Sequence, residues 1–340
     1  MSDQRVRVFE LDVLRFLAAL SVVLYHYTFR GHAADDMSIL AFPWLASYTK
    51  YGYLGVELFF MISGFVIVLS ASGRSAFAFA KSRAKRLYPA YWFGMTFTAV
   101  CALLIGSDSY SVTLTQYLQN LPMVGGFWGV TFVDGVYWTL IVELHFYFLV
   151  GLLIATRQIR HIQGYLIAWL CLATIAPYTP YVLEVERYAL TDWSPYFAAG
   201  AACFLIKKNG LRPIAICILM VAYVLALRQA YWHQFTYEAH YGTGFSEIVI
   251  ACILTGFFTV FFWVSAFGIP CLNKPFMATA GMLTYPLYLI HQNVGYMVFN
   301  NWGESMNRFV LLGLTLFAML ACSYLIAKYV ERPMSHMFPS

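Results

Sequence analysis

The sequence predicts an all-α polytopic membrane protein: about ten transmembrane helices, both termini cytoplasmic, one domain over residues 1–340. Three observations carry that reading. Of the 340 residues, 61% are hydrophobic and 11% charged, against roughly 45–50% and about 25% in soluble domains. Ten windows approach the roughly 20 apolar residues that cross the hydrocarbon, near 12–29, 52–72, 88–106, 135–155, 163–178, 193–206, 211–229, 245–268, 276–299 and 308–328. With the N-terminus inside, only Arg30, Lys50, Arg187, Arg228 and Arg308 of the 21 Lys and Arg fall outside, the asymmetry of the positive-inside rule. The composition excludes a soluble enzyme, a disordered chain and a disulfide scaffold. A net charge of +5 with no basic domain argues against nucleic acid as a partner. The seven cysteines form no CxxC pair and read as small core residues.

Along the chain, the intramembrane ionisable residues are the informative ones, because each costs about 2.5–3.5 kcal/mol at a helix centre. In the first span Arg15 and His26 are eleven residues apart. That spacing puts them on one helix face, about 16.5 Å apart along the axis. One reading is a device that holds an anion low and moves a proton high. The other is Arg15 snorkelling or pairing with Asp12. Residues 5–34 also have the outline of a signal peptide cut near Gly31-His32-Ala33-Ala34. Asp12 and Arg15 inside its apolar stretch, and Arg30 ahead of the cut, favour a retained span.

Glu57 lies near the outer end of the second span. Before the third comes the densest basic run, Lys81 to Arg86, followed by Pro89. Arg83 and Arg86, three apart, share a helix face and suit either a polyphosphate coenzyme or anionic lipid. Glu143 and His145 sit in the fourth span and His291 in the ninth. By depth, His26, Glu57, Glu143, His145 and His291 fall in the outer half, so a converging site is one reading and scattered polar residues the other. No metal is expected, since the histidines lie on different helices without ligand spacing. The outer segments 30–51, 107–134 and 230–244 are too short for domains, and their aromatics, Tyr237 and Tyr241 among them, fit an interfacial belt.

Six stretches, in order, resemble the acyltransferase-3 family of integral-membrane acyltransferases, which includes bacterial O-antigen O-acetyltransferases. Leu11-Asp12-Val13-Leu14-Arg15 through His26 is similar to its Arg-x10-His signature, and 55–65 (GVELFFMISGF) to its GVDLFFxLSGF segment. Arg83 to Arg86 with Pro89 resembles its RxxR segment, and Trp138-Thr139-Leu140-Ile141-Val142-Glu143 its W-[ST]-L-x-x-E motif. Residues 285–291 (YPLYLIH) resemble its SYxLYLxH segment, and Glu331-Arg332-Pro333 its closing ERP.

The resemblance implies acyl transfer from cytoplasmic acyl-CoA, acetyl by default, to a hydroxyl of an extracytoplasmic carbohydrate. It implies acyl-CoA as co-substrate with no tightly bound cofactor, membrane lipid as surroundings, and a bacterial inner-membrane location. His26 is then the catalytic residue, with Glu143 orienting its imidazole. Arg83 and Arg86 hold the donor, and Arg15 lies on the route. Glu57, Trp138, Tyr285 and His291 are expected to bind substrate, and Tyr285, Trp138 and backbone amides are candidates for stabilising an oxyanion. Three departures stand out: Glu57 replaces the family's aspartate, Leu144-His145 replaces its second carboxylate and glutamine, and Gln292-Asn293 displaces a proline. No SGNH-type domain follows residue 340, so this chain is expected to finish the transfer alone or with a partner. The rival readings are a proton-coupled transporter, which would show inverted repeats, and acyl transfer to a small molecule.

Overall fold

A computed structural model describes residues 8–33 and 36–337, with side chains to residue 334. Arg5 and Arg7 of the basic N-terminus, and Ala34-Asp35 of the possible cleavage site, lie outside the described residues. Helix dominates, with no strand among the described residues.

Helix α1 (Phe9–Tyr25) runs directly into a π-helical turn at His26–Arg30. Then follow α2 (Gly55–Ala71), α3 (Ala76–Ile105), α4 (Trp138–Ala155) and α5 (Ile162–Ile175). The second half holds α6 (Ser194–Asn209), α7 (Pro213–Tyr241) and α8 (Glu247–Ala266). It closes with α9 (Ala278–Ile290), α10 (Gln292–Trp302) and α11 (Arg308–Ile326).

Seven helical stretches among the described residues are long and apolar enough to cross a membrane: Pro43–Ala71, Ala76–Ile105, Gly135–Ala155, Ile159–Tyr178, Pro213–Tyr241, Glu247–Ala266 and Arg308–Met334. These correspond to seven of the ten expected spans. The other three, near 12–29, 193–206 and 276–299, are helical but are not among them. Each has a physical reason. The first carries Asp12 and Arg15 within it, and its α-helical part ends after 17 residues at the π turn. The sixth, α6, has 16 residues, about 24 Å at 1.5 Å per residue. The ninth is broken at His291 into α9 and α10.

These three segments are also central. Helix α1 packs on α9 and α2, and α2 packs along α6. The residues Ser194–Ile206 of α6 are buried all round, so α6 need not be apolar enough to face lipid. Its small residues allow close approach instead. A Cβ on Gly200 would lie 1.8 Å from the Met61 carbonyl oxygen, and one on Gly64 2.1 Å from that of Phe197. A Cβ on Gly281 would meet the Asp12 carboxylate at 2.2 Å, so α9 lies hard against the start of α1.

Two lengths position the site. The basic run is not a segment outside the third span; it lies inside the continuous 30-residue α3, which Ser75 caps at the Ala78 amide. Helix α7 has 29 residues, about 44 Å, well beyond the roughly 30 Å of hydrocarbon. Its last turns carry Tyr237 and Tyr241 to the far end of α1.

Candidate active site

Helix α1 widens where His26 begins the π turn. Single π turns inside α-helices recur at functional sites because they re-aim side chains. Here the turn brings Arg30 onto His26: the guanidinium nitrogen Nη1 lies 3.2 Å from His26 Nε2. His26 Nδ1 is 2.8 Å from the Val22 carbonyl and 3.2 Å from His291 Nε2. His291 Nδ1 faces the Tyr288 carbonyl at 2.9 Å.

This pattern assigns the protons. An arginine only donates, so His26 Nε2 accepts and Nδ1 carries the hydrogen, shared between Val22 and His291. By the same logic His291 is protonated on Nδ1 and accepts at Nε2. His26 is thereby a neutral imidazole with its lone pair on Nε2, the form a base or nucleophile needs.

His291 stands at the break between α9 and α10. Its carbonyl accepts from the Tyr27 hydroxyl at 2.7 Å as well as from the Gly295 amide at 3.0 Å, which ties the break to α1. It is wholly buried, 0% exposed, and it lines neither cavity described below. Expected among the substrate-binding residues, His291 stands behind His26, its Nε2 against the His26 ring, and not on a cavity wall.

The start of α10 is fastened by Asp134, which is also fully buried. One carboxylate oxygen accepts from the Val136 amide at 3.2 Å and the other from the Asn293 amide at 3.0 Å. Burial pushes the Asp134 carboxyl up to about 7, against the pull of these two amides. The neighbouring Gln292 donates to Asn293 Oδ1 at 3.2 Å and accepts from Arg30 Nη1 at 3.1 Å. One polar chain thus runs from Asp134 through Asn293, Gln292 and Arg30 to His26.

Two cavities flank this centre. The histidine cavity, about 240 Å³, is lined by His26, Arg30, Tyr53, Glu57, Trp138, Trp193, Tyr237 and Tyr241. Three of its polar atoms are buried without a partner: Arg30 Nε, the Tyr53 hydroxyl and Glu57 Oε2. Unpaired buried polar atoms are costly, and three on one cavity mark a place for a polar ligand. The arginine cavity, about 280 Å³, is lined by Arg15, Arg83, Arg86, Ser63, Glu143, Tyr147 and Tyr285. Val56 and Tyr288 line both cavities.

The sequence-predicted residues divide between the two. His26, Glu57 and Trp138 lie on the histidine cavity; Arg15, Arg83 and Arg86 lie on the arginine cavity. Arg15 also approaches Asp12 at 3.9 Å, so snorkelling or pairing and cavity lining are not exclusive. Arg86 is held at 3.0 Å by Glu331.

Two further placements are corrections. Glu143 does not meet His26; it lies on the arginine cavity, accepting from Ser63 Oγ at 2.9 Å and from the Tyr147 hydroxyl. Its position on α4, one turn beyond Thr139, aims it at the cavity wall that Arg15 of α1 shares, not at His26. Tyr285 is also on the arginine cavity, donating to the Leu87 carbonyl at 3.1 Å beneath the Arg86 guanidinium, too committed there to serve as an oxyanion donor beside His26. The five-residue convergence is thus partial: His26, His291 and Glu57 gather, Glu143 does not, and His145 faces the Tyr188 carbonyl at 3.0 Å.

Arg30, Tyr53, Asp134, Trp193, Tyr237, Tyr241 and Gln292 were not expected in the site. Arg30 had a signal, lying four residues after His26. Tyr237 and Tyr241 read equally well as interfacial aromatics. Among the described residues no group of histidines, cysteines and carboxylates could hold a metal ion.

The family model described as an acyltransferase domain matches residues 8–328. Nodulation protein 10 of Rhizobium leguminosarum bv. viciae is 28% identical over 244 residues, 66% of this chain and 60% of that protein. Exopolysaccharide production protein ExoZ of Rhizobium meliloti (strain 1021) is 29% identical over 192 residues, 48% of this chain and 60% of that protein. The chain therefore spans 60% of the length of these curated relatives. No solved structure matches.

Proposed function

The chain belongs to the acyltransferase domain family, and from that premise we propose that it takes an acyl group, acetyl in the first instance, from cytoplasmic acyl-CoA. It delivers the group to a hydroxyl of an extracytoplasmic carbohydrate, as a multi-pass protein of a bacterial inner membrane. The supporting observation is the pair of cavities with common walls at Val56 and Tyr288, one lined by three arginines and the other by His26. A polyanionic coenzyme and a neutral hydroxyl need such different surroundings, and their reacting ends must still meet.

In this reading Arg83 and Arg86 receive phosphate groups, Arg83 with a buried Nε that has no partner and Arg86 at the price of sharing itself with Glu331. Arginine forks bind phosphate in two-pronged fashion. The pantetheine arm passes Arg15 and Tyr288 to the histidine cavity. The acceptor lies against Trp138, Trp193 and Tyr237, whose ring faces suit the apolar face of a sugar. Glu57 Oε2 and the Tyr53 hydroxyl, both without protein partners, take its hydroxyls. His26 Nε2 removes the proton from the reacting hydroxyl, and His291 holds the ring. The printed name of one relative, an exopolysaccharide production protein, supports a polysaccharide acceptor.

The experiment is mass spectrometry of cell-surface glycans with and without the gene, repeated with His26→Ala. Loss of one ester-linked acyl group in both is expected, and its mass identifies donor and acceptor together. Unchanged glycan esters would contradict the reading, and proton-coupled uptake of a solute would replace it with transport.

A further inference from the structure

We propose that Arg30 is a catalytic residue: its guanidinium carries the negative charge that develops on the acyl carbonyl oxygen during transfer. This rests on the acyl-transfer reading above and supplies the oxyanion donor for which the sequence offered Tyr285, Trp138 and backbone amides.

Four observations point to it. Arg30 Nη1 lies 3.2 Å from His26 Nε2, so any carbonyl brought to a hydroxyl on that nitrogen comes within reach of the guanidinium. Its Nε is buried with no protein partner, a donor the protein itself leaves unused. No carboxylate pairs with Arg30 among the described residues: its two side-chain partners are the imidazole of His26 and the Gln292 amide oxygen at 3.1 Å. Finally, Gln292, which accepts from Arg30 Nη1, is itself fixed through Asn293 to buried Asp134, so the guanidinium is held in place beside His26.

The chemistry accounts for the resting contact. In the free enzyme Nη1 donates to the Nε2 lone pair. The acceptor hydroxyl oxygen then attacks the thioester carbonyl carbon, forming a C–O bond, while its proton passes to Nε2. The carbonyl π pair moves onto its oxygen. Nε2, now protonated, no longer accepts from Arg30, and two cations face each other. The new oxyanion relieves that repulsion by accepting from Nη1 and Nε. When the carbonyl re-forms, the C–S bond breaks and the CoA thiolate leaves, taking the proton from the imidazolium. Charge matched only in the transition state raises turnover rather than ground-state binding.

The test uses the full chain in proteoliposomes, with [14C]acetyl-CoA as donor and the host's alkali-deacylated exopolysaccharide fraction as acceptor. Arg30→Ala is expected to lower turnover about a hundred- to a thousandfold, the range for removing one oxyanion donor, with acetyl-CoA affinity unchanged. Methylguanidinium should restore at least about tenfold of that loss, and Arg30→Lys should fall between the two. Turnover of Arg30→Ala within about threefold of wild type would overturn the assignment. So would a loss of acetyl-CoA affinity that matches the loss of turnover, or a pH–rate profile displaced along the pH axis with its plateau intact, which would mean that Arg30 only tunes His26. Wild-type protein that transfers no label overturns the acyl-transfer reading itself, and this proposal with it.

Discussion

The two cavities are built by different means. The arginine cavity takes its charged groups from the flanks of regular helices: Arg15 from α1, Arg83 and Arg86 one turn apart on α3, Glu143 and Tyr147 one turn apart on α4. Much of its charge is answered within the protein, Arg86 by Glu331 and Arg15 by Asp12. The histidine cavity takes its groups from interruptions: the π turn at His26–Arg30, the residue Trp193 capping α6, the overhanging end of α7, and behind them the break at His291. Three of its polar atoms, Arg30 Nε, the Tyr53 hydroxyl and Glu57 Oε2, have no protein partner, against Arg83 Nε alone among the residues lining the other. A regular flank suits a site that must hold a large flexible anion and let it go. An interrupted backbone suits one that must place a few atoms precisely, since each break frees a side chain from helical register.

Substitutions at the two sites should therefore act differently. The largest effect is expected from His26→Ala: a fall in turnover of about a hundred- to ten-thousandfold, the range for a general base, in protein that still inserts and still binds acyl-CoA. Turnover near wild type would remove His26 from the chemistry. Next, Arg83→Ala should weaken acyl-CoA binding about tenfold or more, as for loss of a charge-assisted hydrogen bond, and leave acceptor KM alone. The opposite ranking would return the basic run to lipid anchoring. His291→Gln should lower kcat about tenfold with both KM values unchanged, because it acts through the His26 ring; an acceptor KM effect would put it in contact with substrate after all. Glu143→Gln should leave the pH–rate profile of His26 in place, which would shift if this carboxylate served the imidazole. The smallest effect concerns stability. A folded pKa of about 7 for Asp134, raised above its ordinary value, means that the neutral form favours folding. Its contribution is complete below pH ~4 and declines as pH rises to about 7. Thermal unfolding from pH 4 to 8 should show that slope, and Asp134→Asn should flatten it.

The same contrast governs how much was legible in the sequence. Membrane class, helical fold and the shared face of Arg83 and Arg86 followed from hydropathy and from regular spacing. So did seven of the spans, because lipid-facing helices must be apolar along their length. The three segments near 12–29, 193–206 and 276–299 differ because burial among other helices relaxes that demand, as the alanine- and glycine-rich centre of α6 illustrates. Within the site, His26 and Glu57 were visible as costly residues in apolar runs. The partner of His26 was not: depth along a helix placed Glu143 level with it, but rotation about α4 decides which neighbour a side chain meets, and one sequence does not state it. Arg30 was counted as an outward charge because a regular helix gives no warning of a π turn. Asp134 and Gln292 act through loop and helix-end geometry that has no period to read.

The central claim is that one acyl-CoA molecule occupies both cavities, its phosphates on one side of Val56 and Tyr288 and its reacting carbon on the other. A structure determined with a non-hydrolysable thioether analogue of acetyl-CoA tests it most directly. Phosphate oxygens are expected on the Arg83 and Arg86 guanidiniums and the acyl carbon beside His26 Nε2, with Tyr288 turned aside. An analogue held at the arginines with its acyl end pointing into lipid, or lodged wholly among Trp138, Trp193 and Tyr237, would contradict it.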